Sequence, residues 1–243
     1  MIARAAQAMR VLGEARGMSL SDVASAVGLA RSTTHRIIVA LEREGFVASN
    51  GPGGYRLGPS VLLLAEACKV GAIQDLHPYL IRLSQQVHET VDLSILAGES
   101  MYFVDQVTAP RRLRAVSAIG VSFPLHCTAN GKAVLAAMPP DAVRSLLPAR
   151  LERLTPATCT SRTSLEKELI EVRRVGIATD REEHTAGICA VGACVKLGTG
   201  DLLAISIPLP AGRFYGRENE LAAILRKHRS EIVARFSGAF VSS

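Results

Sequence analysis

No apolar run in this chain approaches the 18 residues a membrane-spanning helix needs, and "VLLLA" at 61–65 is a fragment of something amphipathic. The N-terminus lacks a signal-peptide core, because Arg4, Arg10 and Glu14 interrupt it. The five cysteines (68, 127, 159, 189 and 194) are odd in number and show no CxxC pairing, which excludes a disulfide framework and fits reduced thiols. A cytoplasmic protein is therefore expected. The chain also lacks GxSxG, GxGxxG and HExxH, and no cofactor motif is found. "NGKA" resembles the end of a phosphate-binding loop, but His126 stands at the required first glycine and Ala133 at the required Ser/Thr. His126 and Cys127 are adjacent, so on an extended segment they point to opposite faces, a poor arrangement for a Cys–His nucleophile pair. A catalytic function is not expected. Internal repeats and low-complexity segments are absent as well.

Two further absences sit in one place. Residues 1–58 contain no lysine, and "RSTTHR" at 31–36 contains no acid. Acidic residues are favoured at helix starts, where the backbone dipole leaves positive partial charge. A helix head made only of hydrogen-bond donors points to a partner that brings its own negative charge.

What is present agrees with this. The 243 residues are 48% hydrophobic, enough for one large or two modest domains, and the net charge is +6. Residues 1–58 carry seven arginines (4, 10, 16, 31, 36, 43, 56) against four acids (14, 22, 42, 44), which is half the net charge in about a quarter of the chain. Arginine's planar fork suits phosphates and guanine edges.

Ala5, Met9 and Leu12 line one face of a first helix within residues 3–15. Ser19 opens a capping-box-like start with Asp22 in the reach-back position, followed by Leu20, Val23, Ala24 and Val27 at helical spacing. Gly28 supplies a sharp turn, and a third helix runs from about Arg31 to Glu44, capped by Gly45. "FVAS", "NGPGG" and "YRLG" predict a hairpin. Together these make a winged helix-turn-helix. Thr34, Ile37, Ile38 and Leu41 form the buried stripe of the third helix. Ser32, Arg36, Val39 and Arg43 fall on the opposite face, flanked by Thr33 and His35, with Arg31 at the head. Arg31, Ser32, Thr33, His35, Arg36 and Arg43, with Arg56 on the wing, are the candidate DNA-contacting residues.

Residues 59–76 read as a linker helix, with Pro78 as a break before the first helix of a second domain at 77–243. Strands are expected at 91–98, 100–107, 112–117, 177–180, 190–197 and 201–209, with "GTGD" as a hairpin turn. Short helices are expected in "GKAVLAAM" and "PDAVRSLL", a longer one in "SLEKELIEVRRVG", and a terminal one over about 217–236. Antiparallel strands with flanking helices make an α+β, sensor-like domain.

Order and spacing of "LSDVASAVGLARSTTHRIIVALEREGFV", "GGYRLGPSVLLLA", "FPLHCTANGKAVLAAMP", "LEKELIEVRRVGIATDREEHTAGICAVGACV" and "LLAISIPLPAGR" resemble the IclR family of bacterial transcription regulators over nearly the whole chain. The resemblance implies a GAF-like effector domain after the winged helix, and homodimers or tetramers on inverted-repeat operators in double-stranded DNA. It also implies a small organic acid as effector. Its pocket would use the Ala129-Asn130 backbone, Asp180 and Ser206. Ala190, beside Cys189, stands where many relatives carry a cysteine, and Pro208 stands where some carry a second serine, so the effector's identity does not transfer. A helix start at 129–132 offers free N–H groups to a carboxylate, and Ser206 offers a hydroxyl. The alternative is a regulator responding to zinc or thiol redox state through His126, Cys127, His184, Cys189 and Cys194.

Overall fold

The computed structural model describes residues 2–15, 17–51, 54–68, 71–115, 117–196 and 202–236. It divides into two compact units, residues 1–72 and 73–243.

The first unit runs α1 (Ile2–Glu14), α2 (Leu20–Val27), α3 (Arg31–Arg43), β1 (Val47–Ser49), β2 (Tyr55–Leu57) and α4 (Ser60–Cys68). Ser19 starts α2 with the expected capping box: its side chain accepts the Asp22 N–H while the Asp22 carboxylate takes the Ser19 N–H. Such a cap is worth about 0.5–2 kcal/mol. Gly28 ends α2 at φ 64°, a left-handed conformation natural to glycine, and so sets the angle between α2 and α3. Ala8, Leu12, Val23, Val27, Ile37, Ile38, Leu41 and Val47 form the core of this unit. β1 and β2 pair antiparallel, Val47 opposite Leu57 and Ser49 opposite Tyr55. Met18 bonds Tyr55 through both backbone groups, which ties the wing to the start of α2. Pro52 and Gly53 of the expected wing turn lie outside the described residues.

The second unit holds most of α5 (Gly71–Val87), then β3 (Val91–Ala97), β4 (Ser100–Val107), β5 (Ser122–Pro124), α6 (Ala129–Ala137), α7 (Pro140–Leu146) and α8 (Arg162–Val175). β6 (Ala178–Arg181), β7 (Ile188–Lys196), β8 (Leu202–Pro210), α9 (Ala211–Phe214) and α10 (Glu218–Phe236) complete it. Its six strands form one antiparallel sheet in the order β5-β4-β3-β8-β7-β6. β7 and β8 are each buried along seven consecutive residues, so both faces of the sheet are covered there. α6 and α10 both pack on β7, and α6 also packs on α8.

Two expectations are corrected. Pro78 does not break the chain but lies inside α5. An interior proline costs a helix about 3 kcal/mol. Leu76, Leu80, Leu83 and Val87 are at most 1% exposed, and burial of that stripe outweighs the loss. Residues 112–115 and Ser117 are not in a strand; side chains take the backbone groups there instead, Arg213 the Leu113 carbonyl and Gln106 Nε2 the Ser117 carbonyl. They lie in a loop, of which Val116 is outside the described residues. β5 itself was not anticipated. The "GTGD" turn at 198–201 also lies outside the described residues.

Candidate nucleic-acid face and ligand pocket

Helix α3 divides as its periodicity predicts. Thr34, Ile37, Ile38 and Leu41 are buried, and the Thr34 hydroxyl donates to the Ala30 carbonyl at 3.2 Å. Arg31, Ser32, His35, Arg36 and Arg43 are exposed and Thr33 is half-buried. Among the described residues no carboxylate pairs with Arg31, Arg36 or Arg43. The start of α3 carries neither a side-chain cap nor an acid in its first turn. Arg31, Ser32, His35, Arg36 and Leu20 line an open depression. Arg56 is exposed on β2, its Nη1 reaching only the Leu57 carbonyl at 3.5 Å. The face is thus a set of uncommitted donors next to the positive end of a helix, a suitable complement to a polyanion.

The second unit encloses a cavity of about 300 Å³. All five residues expected at an effector site, Ala129, Asn130, Asp180, Ala190 and Ser206, line it. The sheet register accounts for this. Asp180, Ala190 and Pro208 lie in one row across β6, β7 and β8. Ala178, Gly192, Ser206 and Asp92 lie in the row two residues along, on the same face of the sheet. At Gly192 a Cβ would sit 2.6 Å from the Ala129 carbonyl carbon and 2.9 Å from the Asn130 nitrogen, so only glycine lets the start of α6 rest on the strand.

Not all of the α6 start is free to bind. The Gly131 N–H goes to Thr128 Oγ1 at 3.2 Å and Asn130 Oδ1 at 3.0 Å, and the Lys132 N–H goes to the Thr128 carbonyl. Asn130 Nδ2 donates to Ser94 Oγ at 3.0 Å. This leaves the N–H groups of Ala129 and Asn130 as the available donors of that turn.

The pocket holds more than the sequence reading named. Asp92, 1% exposed, also lines it, with Gln106 Nε2 donating to Oδ1 at 2.7 Å and Ser117 Oγ donating to Oδ2 at 2.8 Å. Burial pushes its pKa up to about 6 against those bonds. Burial likewise pushes Asp180 up to about 7, against the Glu183 N–H that it accepts at 2.8 Å. Phe103 and Phe123 meet edge to face at 4.9 Å between centroids, and His184 stacks on Phe123 at 4.0 Å. All three line the cavity, and burial lowers the His184 pKa, favouring the neutral ring. Arg114 and Ser117 enter from the loop after β4. Alternation in "VDLSIL" would assign Asp92 and Ser94 to a solvent face; that face instead looks into the pocket.

Behind the pocket, Lys132 is fully buried and bridges Glu168 and Glu183, each at 2.6 Å. It is a framework residue, absent from the cavity lining.

The zinc or thiol alternative finds no support. Among the described residues no three His, Cys, Asp or Glu side chains gather as a metal site. His126 Nε2 is taken up by the Glu152 carbonyl at 2.9 Å. Burial pushes the Cys127 thiol up to about 12, and Cys189 and Cys194 to about 11, away from the reactive thiolate. No helix of the described residues is long and apolar enough to cross a membrane.

Both parts of the chain match known protein families. Residues 1–51 match the family profile of the IclR helix-turn-helix domain, and residues 67–234 match that of the bacterial transcriptional regulator IclR C-terminal domain. The chain is 52% identical over 239 residues to the HTH-type transcriptional regulator Rv1719 of Mycobacterium tuberculosis, covering 98% of this chain and 92% of that one. It is 40% identical over 214 residues to the HTH-type transcriptional regulator TtgV of Pseudomonas putida, covering 87% and 82%. Among solved structures, the Thermotoga maritima IclR superposes with a TM-score of 0.76 at 26% identity, over 97% of this chain and 98% of that one. An IclR homolog from Microbacterium hydrocarbonoxydans, complexed with 4-hydroxybenzoate, superposes with a TM-score of 0.82 over 96% and 97% at 21% identity, a likeness of fold.

Proposed function

The chain belongs to the IclR family of bacterial transcriptional regulators, and from that premise we propose that its operator binding is modulated by a small organic acid, aliphatic or aromatic, held in the second unit. As a DNA-binding regulator rather than an enzyme, it needs one surface for DNA and one for a signal. The observation that carries the reading is the cavity of about 300 Å³, with apolar walls and a few converging polar groups, which suits a small ligand. In our reading Ala129 and Asn130 offer backbone N–H groups to the ligand's carboxylate, Ser206 offers a hydroxyl, Asp180 holds a ligand hydroxyl, and Ala190 leaves room. A neutral Asp180 avoids repelling the acid. The complex of the Microbacterium homolog with 4-hydroxybenzoate is one instance of such a ligand in this fold.

On the DNA side, Arg31, Ser32, Thr33, His35 and Arg36 read base edges and phosphates, Arg43 contacts the backbone, and Arg56 does so from the wing. We assign DNA binding to residues 1–58, the linker to 59–76 and effector binding to 77–243. One recognition helix covers few base pairs, so a homodimer or tetramer on an inverted repeat is required for specificity. Leu62, Leu63 and Leu64 of α4, 70%, 72% and 52% exposed, are an apolar face fit for that assembly. The setting is cytoplasmic. The test is a thermal-shift screen of organic acids on wild type, Ser206→Ala and Asp180→Ala. Acids that stabilise wild type and bind both variants more weakly support the reading. No stabilising acid, or equal binding to all three, refutes it.

A further inference from the structure

Three charged side chains line the cavity among the described residues: Asp92, Asp180 and Arg114. The two carboxylates are already built into the frame. Asp92 takes one donor on each oxygen, from Gln106 and Ser117, and Asp180 takes the Glu183 N–H. An anion entering this space therefore meets the Asp92 carboxylate, both of whose oxygens are already committed, and gains from a cation that offsets it.

Arg114 is that cation. It is exposed and yet lines the cavity, so it stands at the opening. Of its five N–H donors one is spent, Nη1 to the Arg111 carbonyl at 2.8 Å, and no carboxylate pairs with it among the described residues. The segment that carries it is tied down on both sides. Ala109 N–H donates to Thr90 Oγ1 at 3.3 Å, and Arg111 Nε donates to the His88 carbonyl at 2.8 Å. The Leu113 carbonyl accepts from Arg213 at 3.2 Å, while Arg213 grips the buried Glu89 through two 2.7 Å bonds. On the far side Ser117 is held by Asp92.

We infer that Arg114 is the residue that makes the pocket select an anionic ligand, its free guanidinium edge taking the carboxylate from a strap fixed at Ala109–Leu113 and at Ser117. The inference rests on the acid-binding reading of the same pocket. It places the ligand's charge on a side chain at the opening and leaves Ala129 and Asn130 N–H groups as secondary donors.

The experiment uses the full chain and a panel of short aliphatic acids, benzoate and hydroxybenzoates, each beside its neutral amide, with dissociation constants from calorimetry. Proteins are wild type, Arg114→Met, Arg114→Lys, and Arg112→Met as an exposed neighbour outside the lining. Wild type binds an acid of the panel more tightly than its amide. Arg114→Met weakens the acid by about 10- to 100-fold, the worth of a charge-assisted bond, and shifts the amide less than about threefold. Arg114→Lys recovers part of the preference, and Arg112→Met keeps it. Equal treatment of acid and amide by wild type, or an unchanged acid preference in Arg114→Met, overturns the role of Arg114 and leaves the pocket standing. Absence of any acid or amide binding to wild type overturns the pocket reading and this inference with it.

Discussion

The two units handle charge in opposite ways. On α3 and the wing, arginines stand exposed with no carboxylate partner among the described residues, and the acids expected at a helix start are missing. In the second unit the framework charges are buried and held: Lys132 between Glu168 and Glu183, Glu89 under Arg213, Asp92 under Gln106 and Ser117. On the proposed function, the difference follows from the partner. A polyanion is bound by releasing its counterions, which requires cations that are solvated and free beforehand. A small ligand in a cavity is bound by groups fixed in place before it arrives, which requires that the surrounding charges satisfy one another.

That contrast is broken most severely at Lys132. Lys132→Met leaves Glu183, whose Oε2 has no partner even now, as a buried carboxylate without a cation. Removing one member of such a pair costs about 3–5 kcal/mol. Urea denaturation should show the second unit destabilised by that amount; a loss below about 1 kcal/mol would show that the bridge is not a framework element.

On the exposed side the expected effects are smaller and spare the fold. Arg36→Ala should leave the denaturation midpoint unchanged and cost about 1–3 kcal/mol of operator affinity, relaxing specificity at its base. Arg56→Ala should weaken binding across all sequences and lower the salt slope by about one. Anisotropy titrations at several salt concentrations separate the two, and identical behaviour would remove the distinction between helix and wing.

A further effect is a pH dependence. Asp180 has its pKa raised in the folded state from 3.8 to about 7, so the folded protein binds the proton more tightly than the unfolded chain. Its contribution to stability is complete below the unfolded value and is lost as pH rises through about 7. At the steepest point the loss is on the order of 1 kcal/mol per pH unit. Asp180→Asn, which keeps an acceptor for the Glu183 N–H, should flatten the midpoint-versus-pH curve between about 6 and 7.5, above the pKa of Asp92. A curve that keeps its slope would mean that Asp180 is already ionised in the fold.

The same contrast sets what could be read from the sequence. The helix-turn-helix was legible because it rests on local rules: a capping box at Ser19, a glycine turn at Gly28, and a 3.6-residue stripe through Ile37 and Ile38. Asp180 and Ser206 came from a family resemblance, and the structure brings both to one cavity. Asp92, Arg114, Phe103 and Phe123 were missed because their meeting depends on strand order and on a loop, neither of which leaves a periodic trace. Residues 112–117 looked like a strand by composition, but the Leu113 and Ser117 carbonyls are taken by the Arg213 and Gln106 side chains, partners no local pattern announces. Pro78 looked like a break, yet the apolar stripe around it is long enough to carry the helix through.

The central claim is that occupancy of the pocket changes the hold on DNA, and one titration tests it. A duplex selected by the full chain from a random library is titrated with and without an acid that stabilises the protein. The selected duplex should be an inverted repeat, and its affinity should move about 5- to 150-fold when the acid is present. An acid that binds and stabilises the protein while leaving the affinity for that duplex unchanged would contradict it.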